Sequence, residues 1–341
     1  MVIVSAVNWG WRDIRPREPE RLLDKSVIPN LYGSTGYRAV GNVLSGDIYP
    51  DISDQLTLSA YQRSKGGFAD IHQATWRRGG GETKVAIKVL RVPHNNSKEL
   101  GFVRKRICRE LRIWSKLKHE HILPLYGVAI GFNIIPDGMY GMVCMWAENG
   151  DLCQYLIDNS DLPLQHRLDM LLQISDALRY LHGNNVVHGD LTGVNVLVDN
   201  EGNTLLCDFG VSLIVGDIND PFYETSSQQK YNIPWSAPEI LFPGDVSPAR
   251  PTKFSDIYSF GSVMLQILTG QAPYNRQIST QIAVYINRCK RDTAHPQRPA
   301  RPSFISDDLW AFMKQCWRSI PEERLCAESV YNFLCEYEYG I

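Results

Sequence analysis

The sequence predicts an α+β protein of two lobes, a small strand-rich one followed by a larger helical one. Three observations carry that prediction. The chain is 341 residues long, more than one ordinary core needs and enough for two packed lobes. Between about residue 55 and Trp146 short strand-like runs recur, as in Val85-Ala-Ile-Lys-Val-Leu90 with its period-two alternation. Beyond about residue 150 the spacing changes to that of helices, and strands followed by helices define the α+β plan.

Composition removes several alternatives. Hydrophobic residues make up 44%, enough to fill sizeable cores. Lys and Arg number 35 against 37 Asp and Glu, a net charge of −2, which argues against a protein that coats nucleic acid. No apolar run approaches the ~18–20 residues of a membrane span, and the opening Met1–Asp13 shows neither a basic leader nor a long apolar stretch. Eight cysteines are scattered without a C-x-x-C pair. Zinc and a disulfide framework are therefore not expected, and a reducing compartment, the cytoplasm, is.

Along the chain, residues 1–54 lack a strong period and carry the proline-punctuated stretch Arg15-Pro-Arg-Glu-Pro-Glu-Arg21. They read as a loosely structured extension. In the first sharp strand Val85, Ile87 and Val89 alternate with Ala86, Lys88 and Leu90. A helix follows, with Ile107, Leu111, Trp114 and Leu117 on one stripe; the basic Arg104, Lys105, Arg109 and Arg112 read as a solvated face. His119 and His121 precede a strand and read as structural. Gly141–Trp146 is strand-like. Leu168, Leu171, Leu172, Ser175, Leu178 and Leu181 mark a long helix. Asp256–Thr269 is apolar nearly all round and stops at Gly270, as a buried helix with a glycine cap would.

Lys88 shares a strand face with the small Ala86, which suits either a solvated edge lysine or a functional one. Glu110 has Ile107, Leu111 and Trp114 as helical neighbours and so points toward the apolar side, where a carboxylate needs a partner. A local pair with Arg106 would be worth only ~0.2–0.5 kcal/mol. A pair with Lys88 across the sheet–helix interface would instead hold the ammonium against a phosphate. In Val187-His-Gly-Asp-Leu-Thr-Gly-Val-Asn-Val-Leu-Val198, Asp190 and Asn195 lie in a short loop before a β-branched strand. Leu205-Leu-Cys-Asp-Phe-Gly210 ends a second apolar run on Asp208. Asn195 and Asp208 suit hard Mg²⁺, which takes few protein ligands. Asp190 is left to orient a hydroxyl and accept its proton.

With these residues in view, the chain resembles the eukaryotic-type protein kinases, near the tyrosine-kinase-like and serine/threonine group, over residues 55–341. Val85-Ala-Ile-Lys88, Glu110, His188-Gly-Asp190 with Asn195, and Asp208-Phe-Gly210 match that family's motifs in order. So do Ala237-Pro-Glu239, Ser255-Asp-Ile-Tyr-Ser-Phe-Gly261, Cys316-Trp317 and Pro321-Glu-Glu-Arg324. The resemblance implies a bilobal protein kinase-like fold, with an N-lobe of five strands and one helix over 55–147 and a helical C-lobe over 148–341. It implies ATP and Mg²⁺ as cofactors and a protein substrate. Lys88, held by Glu110, would position phosphates; Asn195 and Asp208 would bind metal; Asp190 would orient the acceptor. Gly66 and Gly67 would lie in the phosphate-covering hairpin Ser64–Ala69, with Cys144 as gatekeeper and Met145, Trp146 and Ala147 as hinge. The Met145 carbonyl and Ala147 amide would read adenine between Ile71, Ala86 and Leu197. Arg324 would pair with Glu239. Small-molecule kinases share the His-Gly-Asp-Leu and Asn pattern, but the Ala-Pro-Glu segment, the Asp256 helix and Arg324 favour protein substrates.

Several positions depart from the family pattern. Ser64 and Ala69 replace the outer glycines of the hairpin. Gly189 replaces an Arg that normally holds a phosphate on the activation segment, which predicts weak coupling of activity to phosphorylation at Tyr223, Thr225, Ser226, Ser227 or Tyr231. Thr192 replaces the lysine of Ser/Thr kinases, and losing a comparable electrostatic group costs ~2.7–4 kcal/mol. Asn232 stands where Thr is expected. Phosphoryl transfer to protein hydroxyls, with Ser/Thr as the acceptor class, is the expected function. An ATP-binding pseudokinase scaffold is the alternative.

Overall fold

In a computed structural model of the chain, the described residues are 39–41, 48–65, 69–92, 97–215, 232–242, 250–274 and 301–339. The chain divides into two units, Met1–Tyr37 and Arg38–Ile341, and all described residues belong to the second. The short strands β1 (Ala39–Gly41) and β2 (Ile48–Pro50) pair antiparallel. Three ten-residue strands follow, β3 (Leu56–Lys65), β4 (Ala69–Arg78) and β5 (Gly81–Leu90), then helix α1 (Ser97–Trp114) and strands β6 (Leu125–Ala129) and β7 (Gly141–Met145). The five longer strands form one antiparallel sheet in the order β3-β4-β5-β7-β6. Val85, Ile87 and Val89 are buried as expected, but Ala86 and Leu90 of the other face are buried as well, so along Val85–Leu90 only Lys88 keeps partial exposure. The α1 stripe of Ile107, Leu111, Trp114 and Leu117 joins the same core.

Residues 48–53 run along the outer edge of β6. Ile52 donates its N–H to the Val128 carbonyl at 3.0 Å, and the Ser53 hydroxyl accepts from Ile130 N–H at 2.8 Å. An edge strand's unpaired backbone groups are thereby covered. Tyr49 and Ile52, which the sequence reading assigned to the extension, are 4% and 2% exposed and belong to the N-lobe core. Period analysis misses them because two apolar residues do not establish a period.

The C-lobe comprises α2 (Leu152–Asp158), α3 (Leu164–Gly183), β8 (Val186–Val187), β9 (Val196–Val198), β10 (Thr204–Leu206) and β11 (Leu213–Ile214). The helices α4 (Pro238–Leu241), α5 (Lys253–Thr269), α6 (Asp307–Cys316) and α7 (Ala327–Tyr339) complete it. Helix α5 is its axis: every residue from Ser255 to Leu268 is buried. It starts three residues before Asp256 because Thr252 and Ser255 form a reciprocal capping box, and it ends at Gly270 with φ 72°. Against it packs α3, whose Leu168, Leu171, Ser175, Leu178 and Leu181 are buried as their spacing predicts. Among the described residues no helix is long and apolar enough to cross a membrane.

His119 links the loop after α1 to α3: its Nε2 lies 3.3 Å from Asp176 Oδ2, and its ring sits 4.8 Å from that of Tyr180. Asp176 also pairs with Arg179 at 2.6 Å. Burial alone would raise the Asp176 pKa, but the bonds from His119 and Arg179 bring it down to about 2.

Two outcomes follow from this packing. Ile52→Ala should lower unfolding stability by ~2–5 kcal/mol, read from the urea midpoint at unchanged slope. The depressed Asp176 pKa contributes stability that is present above the unfolded value of ~3.9 and is lost as pH falls through about 2. The stability gap between native protein and Asp176→Asn should therefore close as the pH of the melts is lowered through that window.

Candidate active site

Lys88 sits on β5 opposite Ile71 of β4 and Met142 of β7. The strand is central, so the side chain is driven inward, leaving 12% exposed. Its Nζ donates to Glu110 Oε1 at 2.6 Å and to Asp208 Oδ1 at 3.0 Å. The cross-interface pair thus prevails over the local one with Arg106. Burial alone would lower the Lys88 pKa, but the Asp208 and Glu110 carboxylates more than reverse it and raise the ammonium above the usual lysine range. Burial pushes the Glu110 carboxyl up, and Lys88 opposes the push. Desolvation in the cleft would raise the pKa of the half-buried Asp208, yet Lys88 holds it down to about 2.

Asp208 adopts φ 64°, a left-handed conformation uncommon for a non-glycine residue and costing of order 1–3 kcal/mol. That twist sends Phe209 inward while the carboxylate faces Lys88. Phe209 is fully buried, with ring centroids 6.2 Å from Trp114 and 5.5 Å from His188. His188 in turn bonds the Cys207 carbonyl through Nε2 at 3.0 Å. The α1 helix, the Asp208 segment and the catalytic loop are stacked on one another through these rings.

The loop itself hangs from α5. Asp256 accepts from the His188 N–H at 2.8 Å and the Gly189 N–H at 2.9 Å, and bonds His182 Nε2 at 2.9 Å. Gly189 has φ 82°, and a Cβ there would lie 3.1 Å from the Val211 carbonyl and 3.3 Å from Pro251. Asp190 is clamped on both oxygens: Asn195 Nδ2 donates to Oδ2 at 3.0 Å and Asn232 Nδ2 to Oδ1 at 2.9 Å. Burial raises the Asp190 pKa, and these two amides oppose it. Asn195 also bonds the Asp190 carbonyl through Nδ2 at 2.7 Å, so its Oδ1 is the atom left for another ligand. Thr192 is 2% exposed, its hydroxyl has no hydrogen-bond partner among the described residues, and it borders a cavity of about 10 Å³ beside Asp190, Trp235 and Ser236. Its position delivers no charge toward Asp190.

The remaining expected residues fall as follows. Ala86, 7% exposed, is the register partner of Cys144, and Val85 that of Met145. Trp146 and Ala147 are buried beyond the end of β7. Ile71 and Leu197 are half-buried, Leu197 arriving from β9 in the C-lobe. Gly66 and Gly67 lie outside the described residues. Burial pushes the Cys144 thiol up to about 12 and the Cys207 thiol well above its ordinary value, which makes both poor nucleophiles.

One reading needs correction. Arg109, placed by sequence on a solvated face, is 4% exposed, and its Nη2 donates to the Ser212 carbonyl at 2.8 Å and the Val211 carbonyl at 3.4 Å. The helical period does put it nearly opposite the apolar stripe; it is buried because the backbone of Val211 and Ser212, 102 and 103 residues away in sequence, covers that face of α1. The contact between Asn232 and Asp190 likewise joins positions 42 residues apart, which no local pattern in the sequence marks.

A bidentate pair closes the C-lobe side. Arg324 donates to Glu239 Oε1 at 2.6 Å and Oε2 at 2.8 Å, and also to the Phe254 and Arg318 carbonyls. Its side chain is fully buried.

A twisted five-stranded lobe over a helical lobe, with a lysine–glutamate pair and two loop aspartates at their junction, defines the phosphotransferase class of bilobal kinases. Residues 61–334 match the family model described as protein tyrosine and serine/threonine kinase, and the chain belongs to that family. Glu239→Ala strips the buried Arg324 of its counter-charge and should destabilise the protein by ~3–5 kcal/mol, seen as a lower urea midpoint.

Proposed function

We propose that the chain is an active protein kinase, transferring the ATP γ-phosphate to a protein hydroxyl, of Ser or Thr, in cytoplasmic signalling. The observation that carries this is Lys88 bonded at once to Glu110 and Asp208, with Asp190 clamped on both oxygens nearby. The kinase domain is proposed to span 55–341, with the strap at residues 48–54 packed on its N-lobe.

The residues present fit the expected cofactors. Asp208 is held ionised and keeps 36% of its side chain exposed, and the Asn195 carbonyl oxygen is uncommitted to Asp190, so these two would hold Mg²⁺. ATP and Mg²⁺ supply, when bound, the phosphoryl group and neutralisation of its charge. Lys88, fixed by Glu110, binds and orients phosphate oxygens. Ala86, Ile71 and Leu197 pack the base, and Met145 and Ala147 read its edge. Asp190 orients the acceptor hydroxyl and takes its proton, while the Asn195 and Asn232 amides keep the carboxylate from rotating. Protein substrates are favoured over small molecules by the buried Arg324–Glu239 pair, which anchors the Ala237-Pro-Glu239 segment.

A second reading, an ATP-binding pseudokinase, is favoured by Thr192, whose buried hydroxyl brings no cation beside Asp190. Phosphoryl transfer from labelled ATP and Mg²⁺ to a Ser/Thr/Tyr peptide array separates the two. The kinase reading expects transfer that Asp190→Asn lowers by about 10²–10⁴-fold, with ATP-induced thermal stabilisation retained. No transfer by the native chain, with the thermal shift intact, would establish the scaffold instead.

A further inference from the structure

Arg109 precedes Glu110 on α1 and is nearly as buried. Its guanidinium bonds the carbonyls of Val211 and Ser212, the two residues directly after Asp208-Phe-Gly210. Ser212 is itself fully buried: its hydroxyl donates to the His188 carbonyl at 2.8 Å, and its N–H donates to the Phe209 carbonyl at 3.1 Å. One residue thus joins three elements, with α1 on its carbonyl, the Asp208 segment on its amide and the catalytic loop on its hydroxyl. The space beside Gly189 is taken by the Val211 carbonyl, one of the two groups Arg109 holds. A Cβ at position 189 would press on it at 3.1 Å, and the positive φ disfavours any side chain there. The loop residue that elsewhere in the family would meet an activation-segment phosphate is thus here a glycine packed against the locked backbone.

We propose that Arg109 and Ser212 form a main-chain lock that keeps Glu110 on Lys88 and Asp208 in the cleft without any phosphorylated side chain. Arg109 is a positioning residue that acts through Glu110. A guanidinium suits this task, because its Nη2 carries two N–H groups that reach successive carbonyls and the group cannot lose its charge. A phosphate-held segment is switched by a kinase and a phosphatase; a carbonyl-held one is closed as soon as the chain folds. The consequence for turnover rests on the kinase reading above, whereas the lock itself does not.

The test uses the full chain and reads amide hydrogen exchange over residues 97–114 and 208–215, with α5 as internal reference, beside the transfer assay. Phosphatase treatment, or joint replacement of Tyr223, Thr225, Ser226, Ser227 and Tyr231 by Phe or Ala, should leave exchange in both segments unchanged and kcat within about twofold. Arg109→Met should speed exchange in both segments by about tenfold or more while α5 stays protected, since local opening is separable from global unfolding. It should lower kcat more than it raises the KM for ATP, and Arg109→Lys should fall between. If Arg109→Met loses α5 protection, Ser212→Ala takes its place, since it removes only the bond to the His188 carbonyl. Unchanged α1 exchange in a folded Arg109→Met or Ser212→Ala protein, or release of α1 by phosphatase, overturns the lock. A native chain that transfers no phosphate overturns the kinase reading alone, because the exchange data still decide the lock.

Discussion

The structure depends on one buried cluster of three charges. An ammonium and a carboxylate removed from water each cost several kcal/mol unless they find one another at close range. Lys88 on β5, Glu110 on α1 and Asp208 after β10 satisfy this only when sheet, helix and loop converge. The cluster is not optimised for stability. Glu110 Oε2 is buried without a hydrogen-bond partner among the described residues, and Asp208 holds a strained backbone. Both features suit a site whose second role is to present charge to something that binds there.

Each corner of the cluster has its own support in the surrounding packing. Phe209 fills the space between Trp114 and His188, so the Asp208 segment cannot shift without opening a cavity. Asp256, at the start of a helix buried over fourteen consecutive residues, fixes the backbone on which Asp190 is mounted. Arg324 ties Glu239 to the same lobe from the opposite end of the chain. The site is held by the buried core of the helical lobe and covered by the smaller one.

The departures from the family pattern change meaning once contacts are known. Asn232, read from sequence as a lost signature, donates directly to the aspartate that would accept the substrate proton. Gly189, read as a missing cation, makes room for the backbone that Arg109 holds. Thr192 retains its sequence reading, since its side chain brings no charge to the site. Two of the three are replacements of one contact by another, and residue identity alone does not distinguish a loss from a replacement.

Motif spacing and hydrophobic period were enough to read the two-lobed plan, the strand of Lys88, the α1 stripe and the buried α5 helix, because each is a local pattern that burial makes obligatory. They also singled out Asp190, Asn195 and Asp208, since few sequences place those side chains at successive strand ends. The strap of Tyr49 and Ile52, the buried placement of Arg109 and the hold of Asn232 on Asp190 were not legible. Each of them joins residues 42 or more positions apart in the chain through hydrogen bonds or packing whose geometry no local period encodes. The sequence by itself determined which side chains are candidates for the chemistry. The tertiary structure decided which of them are held, and by what, because a buried donor takes whichever acceptor the fold brings within about 3 Å.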